Sequence, residues 1–420
     1  MDYFSLIKKE EKRQKETIGL IASENHVSQN VLRALGNAFT NKYSEGYSAK
    51  RYYAGNGVID KLENAVKADA LKAFGLSPAA WSVNVQAYSG SIADLAVYFA
   101  LVPGGGHIMA MDLSMGGHLT HGSKVSITGK FWKQVPYGVS RKSETIDYAE
   151  LMKIARRDKP ALVIAGGSAY SRALDFKKFR KIADAACPEP GRRALLMVDM
   201  SHFAGLVAGK AHSSPFPYAD VVVTTTHKTL RGPRAALIFS RKSNYKLTTK
   251  NSKLSIADAI DKAVFPGLQG GPHMNAIAAV GVALKEAQSA SFRKYAAQIV
   301  KNARALSEEL KKRGWRIVSG GTDTHLFLVD VASRGIGGKE ASEMLERAGI
   351  ITNKNLIPYD VRKPMNPSGL RLGTPALTTR GMKEKEMKVI AGLISGVLLR
   401  EISAKDVKRK TLALAKRFPI

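Results

Sequence analysis

The 420-residue sequence predicts an α/β protein: a large domain with a mostly parallel sheet flanked by helices, and a smaller carboxyl-terminal α/β domain. Short apolar runs without polar alternation, such as residues 161–165 (ALVIA), are typical of strands buried on both faces. These runs alternate with stretches of helical periodicity, which favours parallel strands joined by helices. A glycine–proline segment at residues 265–273 (FPGLQGGPH) precedes a long helical run and marks the division between the domains.

The periodicity places individual elements in the large domain. In residues 60–74, apolar side chains recur at helical spacing, and Gly75 stands where that helix should stop. The same reasoning predicts helices over residues 3–14, 60–74, 91–101 and 176–186. Buried strands are predicted over residues 161–165, 194–198, 221–225 and 235–239.

The remaining elements belong to the smaller domain. A helical run covers residues 274–313, strands follow at 315–318, 326–331 and 350–352, and helices are predicted at 339–348 and, last, at 383–399. We therefore expect an amino-terminal arm over residues 1–25, a large domain over residues 26–273 and a small domain over residues 274–420.

Composition limits the class of protein. Apolar residues make up 45% and charged residues 24%, which is ordinary globular usage and argues against a disordered chain. The single cysteine, Cys187, excludes an intramolecular disulfide and a multi-cysteine metal site, and it fits a reducing cytoplasm. No signal peptide is recognisable, and the apolar stretches are shorter than the roughly 18 residues of a membrane span. We expect a cytoplasmic protein without a bound metal or a membrane partner.

Two predicted strands are followed by residues of opposite charge. Asp199 follows the strand at residues 194–198, with His202 three residues later, and Lys228 follows the strand at residues 221–225. Ligands bind outside the carboxyl ends of parallel strands, so both should lie at one edge of the sheet. A desolvated lysine can form an imine and a carboxylate can keep a pyridine nitrogen protonated, so the pair suits pyridoxal phosphate. Taken singly, each residue could equally be a structural cap.

Two further segments offer groups that bind anions. Ser89, Gly90 and Ser91 open a predicted helix, where backbone N–H groups bind phosphate, although a plain N-cap gives the same pattern. Arg371 can bind a carboxylate through its forked guanidinium, although a turn with an exposed arginine is the simpler alternative. Combined with the charged pair, these segments predict a phosphate site and a substrate carboxylate site.

A series of longer motifs occurs between residues 19 and about 399. They are LIASEN (20–25), KYSEGYSAKRYY (42–53), SGS (89–91), GGHLTHG (116–122), SAYSR (168–172), VDMSHFAGL (198–206), TTTHKTLRGPR (224–234), FPGLQGGP (265–272) and GLRLGTPA (369–376). In this order they resemble the serine hydroxymethyltransferase family, and TTTHKTLRGPR and YSEGYSAKRYY are the most specific. The resemblance implies a fold-type-I pyridoxal-phosphate-dependent transferase whose large domain binds the cofactor.

The resemblance also implies how the cofactor is held. Pyridoxal phosphate forms a covalent imine on Lys228, Asp199 pairs with the pyridinium nitrogen, His202 lies near the phenolate oxygen, and His118 stacks on the ring. The phosphate is held by Ser89, Gly90 and Ser91. Further cofactor contacts come from Ser168, Thr225, His227 and Gly271. His118 and His227 could also be structural histidines.

The implied reaction passes the hydroxymethyl group of serine reversibly to tetrahydrofolate, through an external aldimine, giving glycine and methylenetetrahydrofolate. Arg371 and Ser23 would bind the amino acid, and the residues expected to be catalytic are Lys228, Glu45, Asp199, His118, His202 and Tyr53. Tyr43, Glu45, Tyr53 and the Gly270–Gly271 loop would come from a partner subunit, which implies a homodimer with shared active sites. Folate contacts fall at Leu113, Gly117, His118, Leu119 and Asn355.

Three segments depart from the family pattern. Residues 54–57 (AGNG) lack the usual glutamate, residues 88–94 read YSGSIAD where the family has HSGSQAN, and Ala235–Ala236 replaces two glycines. None of these changes removes a residue expected to bond or protonate the substrate. We expect them to affect the fine geometry and the substrate range rather than the class of chemistry.

Two alternative functions stay open. A folate-independent aldolase acting on β-hydroxy amino acids would share the bond-cleavage chemistry. The net charge of +30, from 65 Lys and Arg against 35 Asp and Glu, would suit a nucleic-acid-binding protein on an inactive enzyme scaffold. However, the basic residues are scattered along the chain without interleaved aromatics, so we expect no specific nucleic-acid partner.

Overall fold

The computed structural model describes residues 2–186, 193–242, 247–248 and 253–420, and Cys187 lies outside the described residues. Its helices are α1 Tyr3–Glu16, α2 Gln29–Leu35, α3 Gly57–Phe74, α4 Gly90–Leu101, α5 Thr128–Phe131, α6 Tyr148–Asp158, α7 Phe176–Ala186, α8 Ala204–Ala208, α9 Ile256–Lys262, α10 Met274–Ala287, α11 Ala290–Lys312, α12 Gly338–Arg347, α13 Pro375–Thr379, α14 Glu384–Leu398 and α15 Ala404–Arg417.

The strands are β1 Ile18–Gly19, β2 Gly46–Tyr47, β3 Lys50–Arg51, β4 Trp81–Asn84, β5 His107–Met111, β6 Lys133–Tyr137, β7 Leu162–Ala165, β8 Leu195–Asp199, β9 Val221–Thr225, β10 Ala236–Arg241, β11 Leu247–Thr248, β12 Lys253–Leu254, β13 Arg316–Ile317, β14 Leu326–Asp330, β15 Ile350–Ile351, β16 Asn353–Asn355 and β17 Gly369–Gly373.

A seven-stranded sheet organises the larger part of the chain. Its strand order is β4-β10-β9-β8-β7-β5-β6. β10 runs antiparallel to both of its neighbours, and the other adjacent strands are parallel. The predicted fold class, α/β with a mostly parallel sheet flanked by helices, is confirmed.

The central strands are buried on both faces, as their apolar sequences predict. Successive residues of β8 illustrate this: Leu196 and Val198 pack in one hydrophobic cluster, whereas Leu195 and Met197 pack in another. Because side chains alternate across a strand, the two clusters lie on opposite faces of the sheet. This double burial explains why these strands lack polar alternation in the sequence.

A second, smaller sheet has the order β13-β14-β17-β16 and is antiparallel throughout. The predicted strand at residues 350–352 does not join it, because β15 pairs in parallel with β1 instead. Ile18 and Leu20 consequently pack in the core of the smaller sheet. The amino-terminal segment is therefore tied to the carboxyl-terminal part of the fold.

The long helical run predicted over residues 274–313 is two helices. α10 ends at Ala287 and α11 begins after Ser289, whose hydroxyl accepts the backbone N–H of Phe292. The helix predicted as the last one is also not the last, since α15 follows it. Lysine and arginine fill much of α15, so the helical spacing of its few apolar residues is hard to recognise in the sequence.

The two main hydrophobic cores meet along α11. Phe292 and Ile299 pack with the large sheet, whereas Leu306 and Leu310 pack with the smaller one. The division between the domains at residue 273 stays a prediction. α10 and the first half of α11 pack on the large sheet, although both follow residue 273. Within the described residues, none of the helices is both long and apolar enough to cross a bilayer.

Candidate active site

A cavity of about 410 Å³ lies at the carboxyl ends of β7, β8 and β9. Asp199 ends β8 and Lys228 follows β9 by three residues. Since β8 and β9 are parallel neighbours, with Asp199 opposite Val223, both side chains reach the same edge of the sheet. Both line the cavity, together with ten other predicted residues: Ser23, Ser89, Gly90, Ser91, His118, Ser168, His202, Thr225, His227 and Arg371.

Asp199 is kept anionic by a buried histidine. Its Oδ2 lies 3.1 Å from His121 Nε2, and its Oδ1 accepts the backbone N–H of Ser201 at 2.9 Å. Burial by itself would raise the pKa of Asp199, but the hydrogen bond and charge of His121 outweigh it and lower the pKa. The same contact raises the pKa of His121 despite its burial. A negative carboxylate therefore stands in the cavity at neutral pH.

Lys228 is held close to deprotonation. Burial lowers its pKa to about 8, although the charge of Asp199 acts in the opposite direction. Its Nζ donates to Thr225 Oγ1 at 3.0 Å, and its backbone oxygen accepts from Asn25 Nδ2 at 2.9 Å. The segment carrying the amine is thus fixed from two sides, and a neutral amine is accessible near physiological pH.

The amino-terminal end of α4 forms another wall of the cavity. Ser89 is its N-cap residue, and within the described part of the chain its side chain makes no capping hydrogen bond. A Cβ atom on Gly90 would come within 2.7 Å of Thr225 Cγ2, so only glycine fits there without a shift. Exposed N–H groups at a helix amino terminus attract anions, and the hydroxyls of Ser89 and Ser91 add donors.

Arg371 supplies positive charge from the smaller sheet. Its Nε donates to Asn353 Oδ1 at 3.2 Å, and its Nη1 donates to the backbone oxygen of Ser168 at 2.7 Å. Burial lowers the pKa of Arg371 to about 10, which still leaves it charged at neutral pH. The cavity therefore contains a pre-oriented guanidinium, with Ser23 in the same lining.

Three predicted histidines in the cavity are neutral at physiological pH. Burial lowers the pKa of His118 to about 4 and that of His227 to about 3, and it places the pKa of His202 well below its usual value. His202 Nδ1 lies 3.2 Å from Nε2 of His325, which the sequence analysis missed. Uncharged imidazoles can stack, donate or accept beside a cofactor without adding positive charge.

The other predicted residues lie outside the lining of this cavity. Tyr43 Oη donates to Glu45 Oε1 at 3.3 Å, and the rings of Tyr43 and Tyr53 pack edge to face with centroids 5.0 Å apart. Gly271 lies beside the Tyr43 ring, where an added Cβ would come within 3.4 Å. Tyr43 is 56% exposed and Tyr53 is 48% exposed. We call Tyr43, Glu45, Tyr53 and Gly271 the tyrosine cluster.

The positions expected to contact folate divide in a similar way. His118 lines the cavity, whereas Leu113, Gly117, Leu119 and Asn355 do not. Leu113 and Leu119 are exposed, at 38% and 47%. Asn355 lies on β16, whose Asn353 bonds Arg371. Exposed leucines on the segment that carries His118 leave apolar surface beside the cavity.

Several cavity residues were missed by the sequence analysis. Asp94, Ser201 and Arg234 line the cavity, and His121 pairs with Asp199. Asp94 stood out in the sequence only as a departure, and in GGHLTHG only His118 was assigned a role, not His121 three residues later. Oxygen and nitrogen atoms of Asp94, His121 and Asp199 lie within 4.8 Å of one another. We assign these atoms to a hydrogen-bonded network because His121 already bonds Asp199, and the expectation of no metal stays a prediction.

Comparison with known proteins gives consistent matches. A family model, Serine hydroxymethyltransferase, matches residues 1–394. The chain is similar to serine hydroxymethyltransferase from Desulfotalea psychrophila (strain LSv54 / DSM 12343), with 51% identity over 421 residues, covering 100% of this chain and 94% of that protein. It is 50% identical over 418 residues to serine hydroxymethyltransferase from Koribacter versatilis (strain Ellin345), covering 99% of this chain and 93% of that protein.

Proposed function

Because this chain belongs to the serine hydroxymethyltransferase family, we propose that its cavity residues and its tyrosine cluster divide the family's reaction between them. The protein is a transferase that interconverts serine and glycine, with tetrahydrofolate as the one-carbon acceptor and pyridoxal phosphate as the cofactor. The observation that carries this proposal is that Lys228 and Asp199 line one cavity, whereas Tyr43, Glu45 and Tyr53 lie outside its lining.

The cavity fits pyridoxal phosphate group by group. Lys228 offers an amine with a lowered pKa for the aldehyde, and Asp199 offers a carboxylate for the pyridinium nitrogen. The amino terminus of α4, with Ser89, Gly90 and Ser91, suits the phosphate. When bound, this cofactor supplies an electron sink for the carbon atom at which the substrate bond breaks. His118, Ser168, His202, Thr225 and His227 complete the cofactor surroundings.

The substrate is recognised by its carboxylate. Arg371 is partly buried, charged and held by Asn353 and Ser168, so it can bind a carboxylate without rearranging. Ser23 lies in the same lining and can donate to the substrate. These two residues would fix the carboxylate end of serine.

Glu45 is our candidate for the proton transfer at the hydroxymethyl group. In one chain it bonds Tyr43 and lies outside the cavity lining, in a cluster whose aromatic rings are about half exposed. We propose that a second copy of the chain brings its tyrosine cluster to this cavity, which makes the homodimer the active unit. Leu113, Gly117, Leu119 and Asn355 then form the folate side of the shared site.

The first experiment measures glycine formation from serine with and without tetrahydrofolate, together with the absorbance spectrum. We expect a visible imine band that is lost in Lys228→Ala, and glycine formation that depends on folate. Glycine formation of equal rate without folate would favour the aldolase. A protein that stays colourless with added pyridoxal phosphate would contradict the assignment of Lys228.

A second experiment tests the shared site by mixing two inactive variants, Lys228→Ala and Glu45→Gln, under conditions that exchange subunits. If each site uses Lys228 of one protomer and Glu45 of the other, about one quarter of the sites in a random mixture are intact. Recovery of activity on mixing supports the shared site. No recovery, with exchange verified by differently tagged subunits, would place both residues in one chain's site.

The cytoplasmic location stays a prediction.

A further inference from the structure

Asp94 is a buried carboxyl group in the cavity wall for which the reaction described above has no role. It lies on α4, one turn after the residues proposed for phosphate, and is 2% exposed. Its Oδ2 lies 2.5 Å from Thr120 Oγ1. Thr120 Oγ1 in turn lies 2.6 Å from His118 Nδ1. A continuous chain of hydrogen bonds therefore joins Asp94 to the histidine proposed to stack on the cofactor.

The direction of these hydrogen bonds depends on which of the three side chains carry a proton. The Thr120 hydroxyl has one hydrogen, so it can donate either to Asp94 or to His118, but not to both. The backbone N–H of Thr120 also points at His118 Nδ1, at 3.3 Å. Nδ1 accepts that N–H only in the tautomer that carries no proton there, and in that tautomer the Thr120 hydroxyl donates to Nδ1 as well. In this arrangement Asp94 is the donor to Thr120 and carries a proton.

The groups around Asp94 agree with a protonated acid. An oxygen of the anionic Asp199 and a ring nitrogen of His121 lie within 4.8 Å of an Asp94 oxygen. His121 and Lys228 contribute positive charge, and Tyr98 follows one turn later on α4. Burial, followed by the charge of Asp199, raises the pKa of Asp94 to about 7, against the opposing effect of His121 and Lys228. Two carboxyl groups in one buried site do not both ionise readily.

Three buried polar atoms at or near Asp94 have no hydrogen-bond partner among the described residues. They are Asp94 Oδ1, Tyr98 Oη and His121 Nδ1. A deprotonated Asp94 would share its negative charge between Oδ2, which Thr120 can bond, and Oδ1, which has no donor among the described residues, and burying such a charge costs more than burying a neutral acid. The geometry of this site thus favours the protonated form.

We propose that Asp94 is a positioning residue, a neutral carboxylic acid that acts through Thr120 to keep His118 in the tautomer with an acceptor at Nδ1 and a proton at Nε2. When Asp94 ionises, its proton passes to Thr120 Oγ1 while the Thr120 proton passes to His118 Nδ1, and one proton leaves Nε2 for solvent. The Thr120 hydroxyl then donates to the Asp94 carboxylate and accepts from Nδ1–H, and Nδ1 no longer accepts the backbone N–H of Thr120. The state of Asp94 thereby sets which hydrogen bond His118 can offer on its cofactor side.

The test is nitrogen-15 NMR of histidine-labelled holoenzyme between pH 5.5 and 8.5, with the His118 signal assigned by its loss in His118→Phe. We expect the Nε2–H tautomer at low pH and a change toward Nδ1–H with a midpoint near pH 7. Asp94→Asn keeps an N–H donor to Thr120 at every pH, so its His118 should stay in the Nε2–H tautomer. Thr120→Val should remove the pH response, and Thr120→Ser should restore it.

Asp261→Asn is the matched control, because Asp261 is a partly buried carboxyl whose pKa is also raised by desolvation, bonded to Asn84 at 2.7 Å outside the cavity. It should leave the His118 titration unchanged. The pH profile of kcat/KM for serine should lose its inflection near pH 7 in Asp94→Asn and keep it in Asp261→Asn. A wild-type tautomer that does not change with pH, or an Asp94→Asn protein that titrates like the wild type, would overturn the proposal.

Discussion

The cavity and the tyrosine cluster differ in how much of their surroundings a single chain provides. In the cavity, Asp199, Lys228 and Arg371 are each held by hydrogen bonds from other parts of the same chain. In the tyrosine cluster, Glu45 bonds Tyr43, two residues away, and both tyrosine rings are about half exposed. One chain therefore positions most of the residues proposed for the cofactor, whereas Gly271 and Glu45, the group proposed for proton transfer, lie outside the cavity lining.

The largest expected effect is on the cavity. Replacing Lys228 by alanine removes the amine that we propose binds the cofactor, so kcat/KM should fall by about 10⁴-fold or more, and the visible band should vanish. Absorbance and glycine-formation assays measure both. Lys177→Ala, an exposed lysine of α7, is the control and should retain colour and activity. A coloured, active Lys228→Ala protein would remove the cavity from the chemistry.

The next largest effect is expected on kcat when the tyrosine cluster is changed. Glu45→Gln should lower kcat by roughly 10²–10⁴-fold, the usual contribution of a general acid or base, while the imine band persists. Glu150→Gln, at an exposed position of α6, should have no such effect. Loss of the imine band in Glu45→Gln would show that the two regions do not have separate roles.

A smaller effect concerns how the cavity is held together. Asn25 donates to the backbone oxygen of Lys228 and to Tyr295 Oη, and it accepts from Thr379. Asn25→Ala should lower the free energy of unfolding by about 2 kcal/mol, because partly buried partners lose their bonds. Urea denaturation measures this free energy of unfolding. Asn30→Ala, an exposed residue of α2, should change this free energy by less than about 0.5 kcal/mol. Equal effects would mean that the cavity does not depend on Asn25.

The smallest effect is on the pH dependence of cofactor uptake. Only the neutral amine attacks the aldehyde, and the pKa of Lys228 is about 8. A lysine is neutral above its pKa, so the rate of band formation in apoprotein should rise about tenfold per pH unit below pH 8 and level off above it. Stopped-flow absorbance follows the rate. A flat profile from pH 6 to 9 would contradict the lowered pKa.

Much of the fold and of the candidate cofactor site is readable from the sequence. Continuous apolar runs identified β7, β8 and β9, because strands buried on both faces have no polar face to alternate. The family resemblance is confirmed by the full-length matches. The antiparallel direction of β10 was not readable, since strand direction depends on the connection and leaves no mark in an apolar run.

Residues that act through other residues escaped the sequence analysis. Asn25 belongs to a recognised motif, but its bond to Lys228 spans 203 positions and exists only in the folded chain. His325 contacts His202 across 123 positions and lies in no recognised motif. Such contacts have no local pattern, because hydrogen bonds between distant segments depend on how the sheets pack.

The sequence by itself determined the chemistry: a lysine and an aspartate after neighbouring strands, a small-residue helix entry and an arginine in the smaller sheet. The tertiary structure decided which of these groups are buried and therefore which charges they carry. It lowered the pKa of Lys228, kept Asp199 anionic and left Asp94 able to hold a proton. The physical reason is that ionisation depends on desolvation and on charges nearby in space, and neither is encoded in the order of residues along the chain.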